Sequence, residues 1–330
     1  MNTIKEMISK NILITGITGQ DGLFLTSYLA NESHSYNIIG IARGSKEIFF
    51  KNLNTLNPDI NSENITILNC DLKDKNQVSS LLQDIRPHQI YNLTGPSSVY
   101  ESIYKPELYK QLIPLYFNNL VNSCIDLHMY PSFFQASSSE MFSVENDMPL
   151  NEISNFGPRN AYSRAKYEVF LSVNELKREY DWNIKSGIMF NHESEFRDKG
   201  YLFTKIIDAA ISIKNKKQKE INIGSLSYVR DWSFAGDVAE AIALISHSKD
   251  NSDYVIGSGV GVSIKEVLDI AFSRLGLNYT NYVNVDSTLL RKNDPETIVS
   301  DPNRLNSDLG WAPKVEIENL IYRCMESKLG

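Results

Sequence analysis

Tyr162 and Lys166 stand four residues apart in Ala161-Tyr162-Ser163-Arg164-Ala165-Lys166. On a helix that spacing sets both side chains on one face, the ammonium beside the phenol. A free tyrosine has a pKa near about 10 and is a poor base at neutral pH. A neighbouring cation favours the phenolate and brings it into the working range of a proton acceptor. Tyr-x-x-x-Lys is common by chance, so its place in the chain decides its meaning. Upstream lies Ser137-Ser138-Ser139-Glu140. One serine hydroxyl there can bridge a substrate hydroxyl and the phenol, the others serving as a polar turn. Glu140 adds a different capacity: a carboxylate beside an oxidised carbon can abstract the proton α to the ketone and protonate a leaving hydroxyl. The competing reading of Glu140 is a helix-start or salt-bridge glutamate.

At the start of the chain, Gly16-x-x-Gly19-x-x-Gly22 follows the apolar run Ile12-Leu13-Ile14 and precedes Leu23, Phe24, Tyr28 and Leu29 at helical spacing. That pattern reads as strand, turn, helix. Such a turn brings backbone amides close to a pyrophosphate at a helix N-terminus. A glycine pattern alone is evenly matched by a structural turn; the strand–turn–helix context selects a dinucleotide site formed by Gly16, Thr18, Gly19, Gln20, Asp21 and Gly22. After the second strand an acidic residue would bind a ribose 2′-hydroxyl and select NAD. Arg43-Gly44-Ser45 stands there instead. A guanidinium suits a 2′-phosphate, so NADP is the expected cofactor and NAD the alternative. Asp71, ending the third strand, reads equally as an adenine contact or a helix cap. Leu72 and Leu93, also at strand ends, belong to the expected cofactor set together with Tyr162, Lys166 and Asn191.

The elements that must position these residues alternate. Strands are expected at 12–14, 38–42, 65–68, 89–93, 132–136 and 184–190, and helices over 74–85, 106–128 and 160–180. This alternation implies an α/β, Rossmann-type doubly wound parallel sheet. The rhythm breaks after Asn191. A dinucleotide-binding domain over 1–190, with 233–257 returning to it, is therefore expected beside a smaller, mostly C-terminal substrate-binding domain over 191–232 and 258–330. The 330 residues carry a net charge of −7, which argues against nucleic acid as partner. No apolar run approaches the roughly 20 residues of a membrane span. The first ten residues lack a signal-peptide core. The three cysteines and five histidines show no ligand spacing, so no metal is expected, and the odd cysteine count suits a cytoplasmic protein.

The motifs together resemble an extended short-chain dehydrogenase/reductase and, within it, the GDP-mannose 4,6-dehydratase family. The resemblance rests on Ile14-Thr15-Gly16-Ile17-Thr18-Gly19-Gln20-Asp21-Gly22, Ile90-Tyr91-Asn92-Leu93, Gln135-Ala136-Ser137-Ser138-Ser139-Glu140-Met141-Phe142, Phe190-Asn191-His192-Glu193-Ser194, Arg230-Asp231-Trp232 and Asp308-Leu309-Gly310-Trp311-Ala312-Pro313. It implies Ser138, Glu140, Tyr162 and Lys166 as catalytic residues, with Ser138 in the place of the family's threonine. It implies Asn191 near both cofactor and sugar diphosphate, Ser97 and Ser139 near the sugar, and Arg230 and Arg291 on the diphosphate and nucleoside. Four stretches depart from the family pattern: Gly95-Pro96-Ser97-Ser98-Val99 near the hexose, Arg43-Gly44-Ser45-Lys46 after the second strand, Glu195-Phe196-Arg197-Asp198-Lys199-Gly200, and Phe203-Thr204-Lys205-Ile206 where the family reads the base. The implied activity is 4,6-dehydration of a GDP-hexose by a homodimer or homotetramer holding NADP(H). The alternative is a 4-reductase, 4-dehydrogenase or epimerase on a related GDP-sugar, a heptose included. A non-catalytic binder would have no use for both Tyr162 and Lys166.

Overall fold

The computed structural model describes residues 10–33, 35–42, 44–291 and 294–329. Strands β1 (Lys10–Thr15), β2 (Tyr36–Ile41), β3 (Ile65–Leu68), β4 (Gln89–Asn92), β5 (Ser132–Ser138) and β6 (Ile184–Met189) alternate with helices α1 (Gln20–Glu32), α2 (Lys46–Leu56), α3 (Lys75–Ile85), α4 (Val99–Tyr104), α5 (Pro106–Asp126) and α6 (Ala161–Tyr180). Shorter elements follow: β7 (Asn191–Glu193), α7 (Leu202–Lys214), β8 (Ile221–Ile223), β9 (Val229–Phe234), α8 (Ala235–His247), β10 (Tyr254–Ile256), β11 (Gly261–Ser263), α9 (Ile264–Arg274), β12 (Val283–Val285), β13 (Thr297–Ile298), α10 (Asn303–Leu309) and α11 (Ile317–Leu329).

A seven-stranded sheet runs in the order β10-β6-β5-β4-β1-β2-β3. The pairings from β3 through β2, β1 and β4 to β5 are all parallel. Residues Ile12 to Thr15 of β1 and all of β4 are buried, as strands covered by helices on both faces require. The order reverses where β1 lies between β2 and β4, and in such sheets ligands bind at the strand C-termini near that switch. This is the doubly wound α/β fold that the alternation implied.

Local differences from the expected boundaries have simple causes. The helix expected from 106 is preceded by a separate α4, whose N-cap Ser98 accepts from the Glu101 amide. Pro106 opens α5, and a proline excludes its predecessor from helix, so the two helices meet at Lys105. Strand β5 extends to Ser138, so Ser137 and Ser138 are strand residues and not a loop. Asp74, not Asp71, caps α3, accepting from the amides of Asn76 and Gln77.

The chain divides into two compact units, one of residues 1–137, 160–187 and 239–253, the other of 138–159, 188–238 and 254–330. The core of the first packs Leu13, Ile90 and Phe133 of the strands with Leu82, Phe117, Leu120 and Val169 of the helices. The second contains a four-stranded sheet in which β11, β13 and β7 all pair with β9, and a two-stranded β12-β8 ribbon. In that unit Asp237 accepts from the amides of Lys314 and Val315 at 2.8 and 3.0 Å, and its carbonyl takes the Trp311 indole N–H at 2.9 Å.

Helix α6 begins with a capping box: the Asn160 side chain accepts from the Ser163 amide and the Ser163 hydroxyl takes the Asn160 amide. This satisfies two of the amides that a helix start leaves unpaired. Asn160→Ala should lower the unfolding free energy by about 1 kcal/mol, read as a lower urea midpoint at unchanged slope. An unmoved midpoint would contradict the assigned cap.

Candidate active site

In the first unit, β1 passes into α1 through a turn that makes no side-chain capping hydrogen bond. The N-cap is Gly19, whose amide donates to the Gly16 carbonyl at 3.0 Å. A Cβ on Gly22 would stand 2.5 Å from Ile17 Cα and 2.6 Å from its carbonyl oxygen, so only glycine lets the helix start so close to the turn. Gln20 and Asp21 form the first turn, the Gln20 amide donating to Asp21 at 3.3 Å. Thr18 is half-buried at the turn. Such a bare cradle at a helix N-terminus fits a pyrophosphate. Leu72 is buried, its carbonyl accepting from Asn119 at 2.8 Å. Leu93 follows β4, its amide donating to the Thr15 carbonyl. Asp71 is exposed and accepts from the Lys73 amide at 3.1 Å. Arg43 lies outside the described residues; Ser45, two positions on, caps α2 and donates to Glu47 at 2.6 Å.

A buried polar chain links the C-terminal ends of three strands to α6. Thr15 donates to Asn92 at 2.7 Å, Asn92 to Gln135 at 2.8 Å, and Gln135 to the Ala136 carbonyl at 2.9 Å. The same carbonyl accepts from Lys166 Nζ at 2.9 Å. Lys166 is only 7% exposed. Burial pulls its pKa down to about 8, with the Asp21 carboxylate opposing. Its Nζ lies 5.8 Å from the centre of the Tyr162 ring. Tyr162 is buried, with Tyr109 edge-on at 6.2 Å. The expected Tyr–Lys pair therefore shares a helix face and is fixed to the end of β5. Beside the Ala136 carbonyl, Ser137 Oγ is buried without a hydrogen-bond partner. An orphaned hydroxyl at a strand C-terminus calls for a ligand group.

The second unit gathers charge. Ser138 Oγ accepts from the Glu140 amide at 3.3 Å, opening the short 3₁₀ turn Ser139–Met141. Ser139 is buried. Glu140 Oε2 meets Arg159 Nη2 at 3.2 Å, and Oε1 meets Arg291 Nη1 at 3.5 Å. Arg291 also holds Asp294 at 2.6 Å, and Asp294 meets Arg230 Nη2 at 3.1 Å. Arg230 is further fixed by donating to the carbonyls of Val229 and Glu296 at 2.8 and 3.1 Å. Burial lowers the Arg230 pKa, with Asp294 opposing. Burial also works against the Arg291 cation, but Glu140 and Asp294 outweigh it and hold that pKa above its ordinary value.

Next to Arg230, the buried Asp231 carboxylate accepts from the amides of Ser258, Gly259 and Ser300 at 2.8, 3.0 and 3.2 Å, and from both serine hydroxyls. It ties β9 to the loop before β11 and to Ser300, two residues after β13. Asn191 is exposed, its backbone in register with Trp232. Ser97 is exposed after β4.

Arg159 and Asp294 escaped the motif reading, and Asn92 and Gln135 lay within motifs but were given no role of their own. Asn92 and Gln135 sit in strands already identified, where a polar residue inside an apolar run was the available signal. Arg159 and Asp294 obey no spacing rule relative to Glu140. Among the described residues no group of three or more histidine, cysteine, aspartate or glutamate side chains could hold a metal ion, and no helix is long and apolar enough to cross a membrane.

A nucleotide turn at the sheet switch point, with tyrosine and lysine on the helix after β5, defines an extended short-chain dehydrogenase/reductase. Residues 13–324 match the family model described as GDP-mannose 4,6 dehydratase, and the chain belongs to that family. It is 32% identical over 327 residues to GDP-mannose 4,6 dehydratase 2 of Arabidopsis thaliana, covering 97% of this chain and 87% of the relative. It is 28% identical over 355 residues to a GDP-mannose 4,6-dehydratase of Vibrio cholerae, covering 98% and 94%. A UDP-glucose 4-epimerase from Bifidobacterium longum, solved with NAD+ and UDP, shares the fold with a TM-score of 0.84 at 17% identity, over 97% of this chain and 98% of that one.

Lys166 should titrate near pH 8, followed by side-chain nitrogen NMR of the ligand-free protein. Asp21→Asn removes the charge that favours the ammonium and should move the midpoint lower. A midpoint at the ordinary lysine value of about 10.4 would contradict the burial.

Proposed function

We propose that the protein is a nucleotide-sugar 4,6-dehydratase acting on a GDP-hexose of the GDP-mannose type, with a tightly held nicotinamide cofactor. The observation that carries this reading is Glu140, a carboxylate 14% exposed and gripped by arginine, two residues beyond the strand whose Ala136 carbonyl anchors Lys166. A plain alcohol dehydrogenase needs the tyrosine, lysine and serine; only elimination needs a second base. The relatives from Arabidopsis thaliana and Vibrio cholerae are GDP-mannose 4,6-dehydratases, which supports guanine and a hexose.

The first unit is assigned to the dinucleotide through Gly16, Thr18, Gly19, Gln20, Asp21, Gly22, Asp71, Leu72 and Leu93. The glycine cradle and the orphaned Ser137 hydroxyl support that fit. When bound, the nicotinamide would supply the hydride acceptor for C4 and the hydride donor for C6. NADP is preferred over NAD on the sequence Arg43-Gly44-Ser45. The second unit is assigned to the nucleotide sugar, Arg230 and Arg291 taking the diphosphate and nucleoside and Ser139 and Asn191 the sugar side; Ser97, of the first unit, is also assigned to the sugar. Tyr162 accepts the C4 hydroxyl proton, with Ser138 bridging and Lys166 stabilising the phenolate. Glu140 takes the C5 proton, acidified by the C4 ketone, and passes it to the C6 oxygen, which leaves as water. A solvent proton enters at C5, and Tyr162 releases its own to solvent, which closes the balance. A homodimer or homotetramer is supported by the exposed Tyr100, Ile103 and Tyr104 of α4, surface that a second copy would cover. The three buried free cysteines support a cytoplasmic setting.

Pure protein given GDP-mannose in deuterated water, without added reductant, should form a product lighter by one water and carrying one deuterium at C5. A product that has only lost two hydrogens, or turnover that needs stoichiometric nicotinamide, would instead establish the dehydrogenase or reductase reading. Tyr162→Phe should keep the fold and lose turnover by about 10²–10⁴-fold; near-normal turnover would refute its role. NADP should bind more tightly than NAD by calorimetry, with Arg43→Ala narrowing the gap; tighter NAD binding to the unaltered protein would reverse the cofactor assignment.

A further inference from the structure

Arg159 follows Pro158 in the sequence and belongs to none of the motifs. Its position is nonetheless closely determined. After Glu140 the chain folds back on itself: Phe142 and Phe156 form an antiparallel bridge, and their rings stack at 5.1 Å with planes 8° apart. The Ser143 amide donates to the Asn155 carbonyl and the Gly157 amide to the Met141 carbonyl, each at 2.9 Å. Asn146 clamps both arms, donating to the carbonyls of Ser143 and Asn155 at 3.1 and 2.7 Å. The arms approach so closely that a Cβ on Gly157 would lie 2.8 Å from Ser143 Cβ. This frame returns Arg159 to the side of Glu140.

The guanidinium then reaches both the hairpin backbone and the carboxylate. Nη1 donates to the Phe142 carbonyl at 2.9 Å, and Nη2 meets Glu140 Oε2 at 3.2 Å. One planar group is thus tied at one end to the hairpin backbone and at the other to the carboxylate. The two side chains are 12% and 14% exposed, so this is not a solvent-screened surface pair. Arg291 approaches the other oxygen only at 3.5 Å and is itself committed to Asp294 through two hydrogen bonds, of 3.2 and 2.6 Å.

We propose that Arg159 is the positioning residue of Glu140, aiming the carboxylate at the C5 proton while Arg291 serves the diphosphate. This rests on the reading of Glu140 as the C5 base. In the step concerned the C5–H bond breaks, its electron pair delocalises onto the C4 carbonyl oxygen, and the proton goes to Glu140. The base must lie within hydrogen-bond reach of that proton, and a displacement of about 1 Å can cost about a hundredfold. A rigid guanidinium fork sets such a direction better than a flexible ammonium. Loss of Arg159 should therefore slow one step of the reaction and spare hydride transfer from C4, which does not use Glu140.

The test compares Arg159→Gln and Glu140→Gln with the unaltered holoenzyme, given GDP-mannose in deuterated water. Hydride transfer is read in single turnover as reduced-nicotinamide absorbance, and proton abstraction as deuterium entering C5. Both variants are expected to accumulate reduced cofactor, with C5 exchange in Arg159→Gln falling by about a hundredfold relative to hydride transfer. If Glu140→Gln loses exchange and Arg159→Gln keeps the unaltered ratio, the inference about Arg159 is overturned and the role of Glu140 stands. Equal loss of both steps in Arg159→Gln also overturns it, since that is what a merely structural arginine would show. If Glu140→Gln still exchanges C5, the reading of Glu140 fails and the inference with it. Should Arg159→Gln not fold, Arg159→Lys carries the same test: charge stays, the fork is lost, and exchange should drop about tenfold relative to hydride transfer, an unchanged ratio again overturning the proposal.

Discussion

A buried ammonium is the constraint on which the first unit depends. Lys166 is removed from water and its main hydrogen-bond acceptor is the Ala136 carbonyl at the end of β5. Desolvating a lysine costs several kcal/mol unless the cation is well partnered. The carbonyl is therefore held in place from behind, by the Thr15–Asn92–Gln135 chain that crosses β1, β4 and β5. The same contact fixes the rotation of α6, and that rotation places Tyr162. A hydrophobic residue at 166 would pack at lower cost, so the lysine is explained by chemistry and not by stability.

The second unit solves a related problem with charge. Arg159, Glu140, Arg291, Asp294 and Arg230 form a line of alternating sign, none of them free in water. Each partner offsets the desolvation of the next. Asp231 gives the line a fixed base by tying β9 to two loops through backbone amides. Two of the arginines are those proposed for the diphosphate, where phosphate oxygens would compete with Glu140 and Asp294 for guanidinium donors.

Much of this was legible from residue order alone. Strong two-sided apolar runs bounded by glycine or polar residues gave the six leading strands, since buried parallel strands admit little else. The Tyr162–Lys166 pair was legible because helical spacing is a local property. The extension of β5 over Ser137 and Ser138 was not, since serine carries no strand preference and the pairing of β5 with β4 ends at Gln135, so tertiary contacts beyond β4 decided it. Asp74 displaced Asp71 as a cap because capping depends on which residue precedes the first helical turn, a choice of a few residues that composition does not resolve. Arg159 was invisible because its partner lies 19 positions away through a hairpin whose pairing is tertiary. Asp294 likewise meets Arg230 only because β13 runs beside β9.

In 4,6-dehydration one hydride leaves the sugar and comes back to it within a single turnover. GDP-hexose labelled with deuterium at C4 tests this most directly. In ordinary water, with excess unlabelled nicotinamide cofactor in solution, the product should carry the deuterium at C6, undiluted by the added cofactor. Label found in the free cofactor pool, or a product with unlabelled C6 and its hydroxyl intact, would contradict the account.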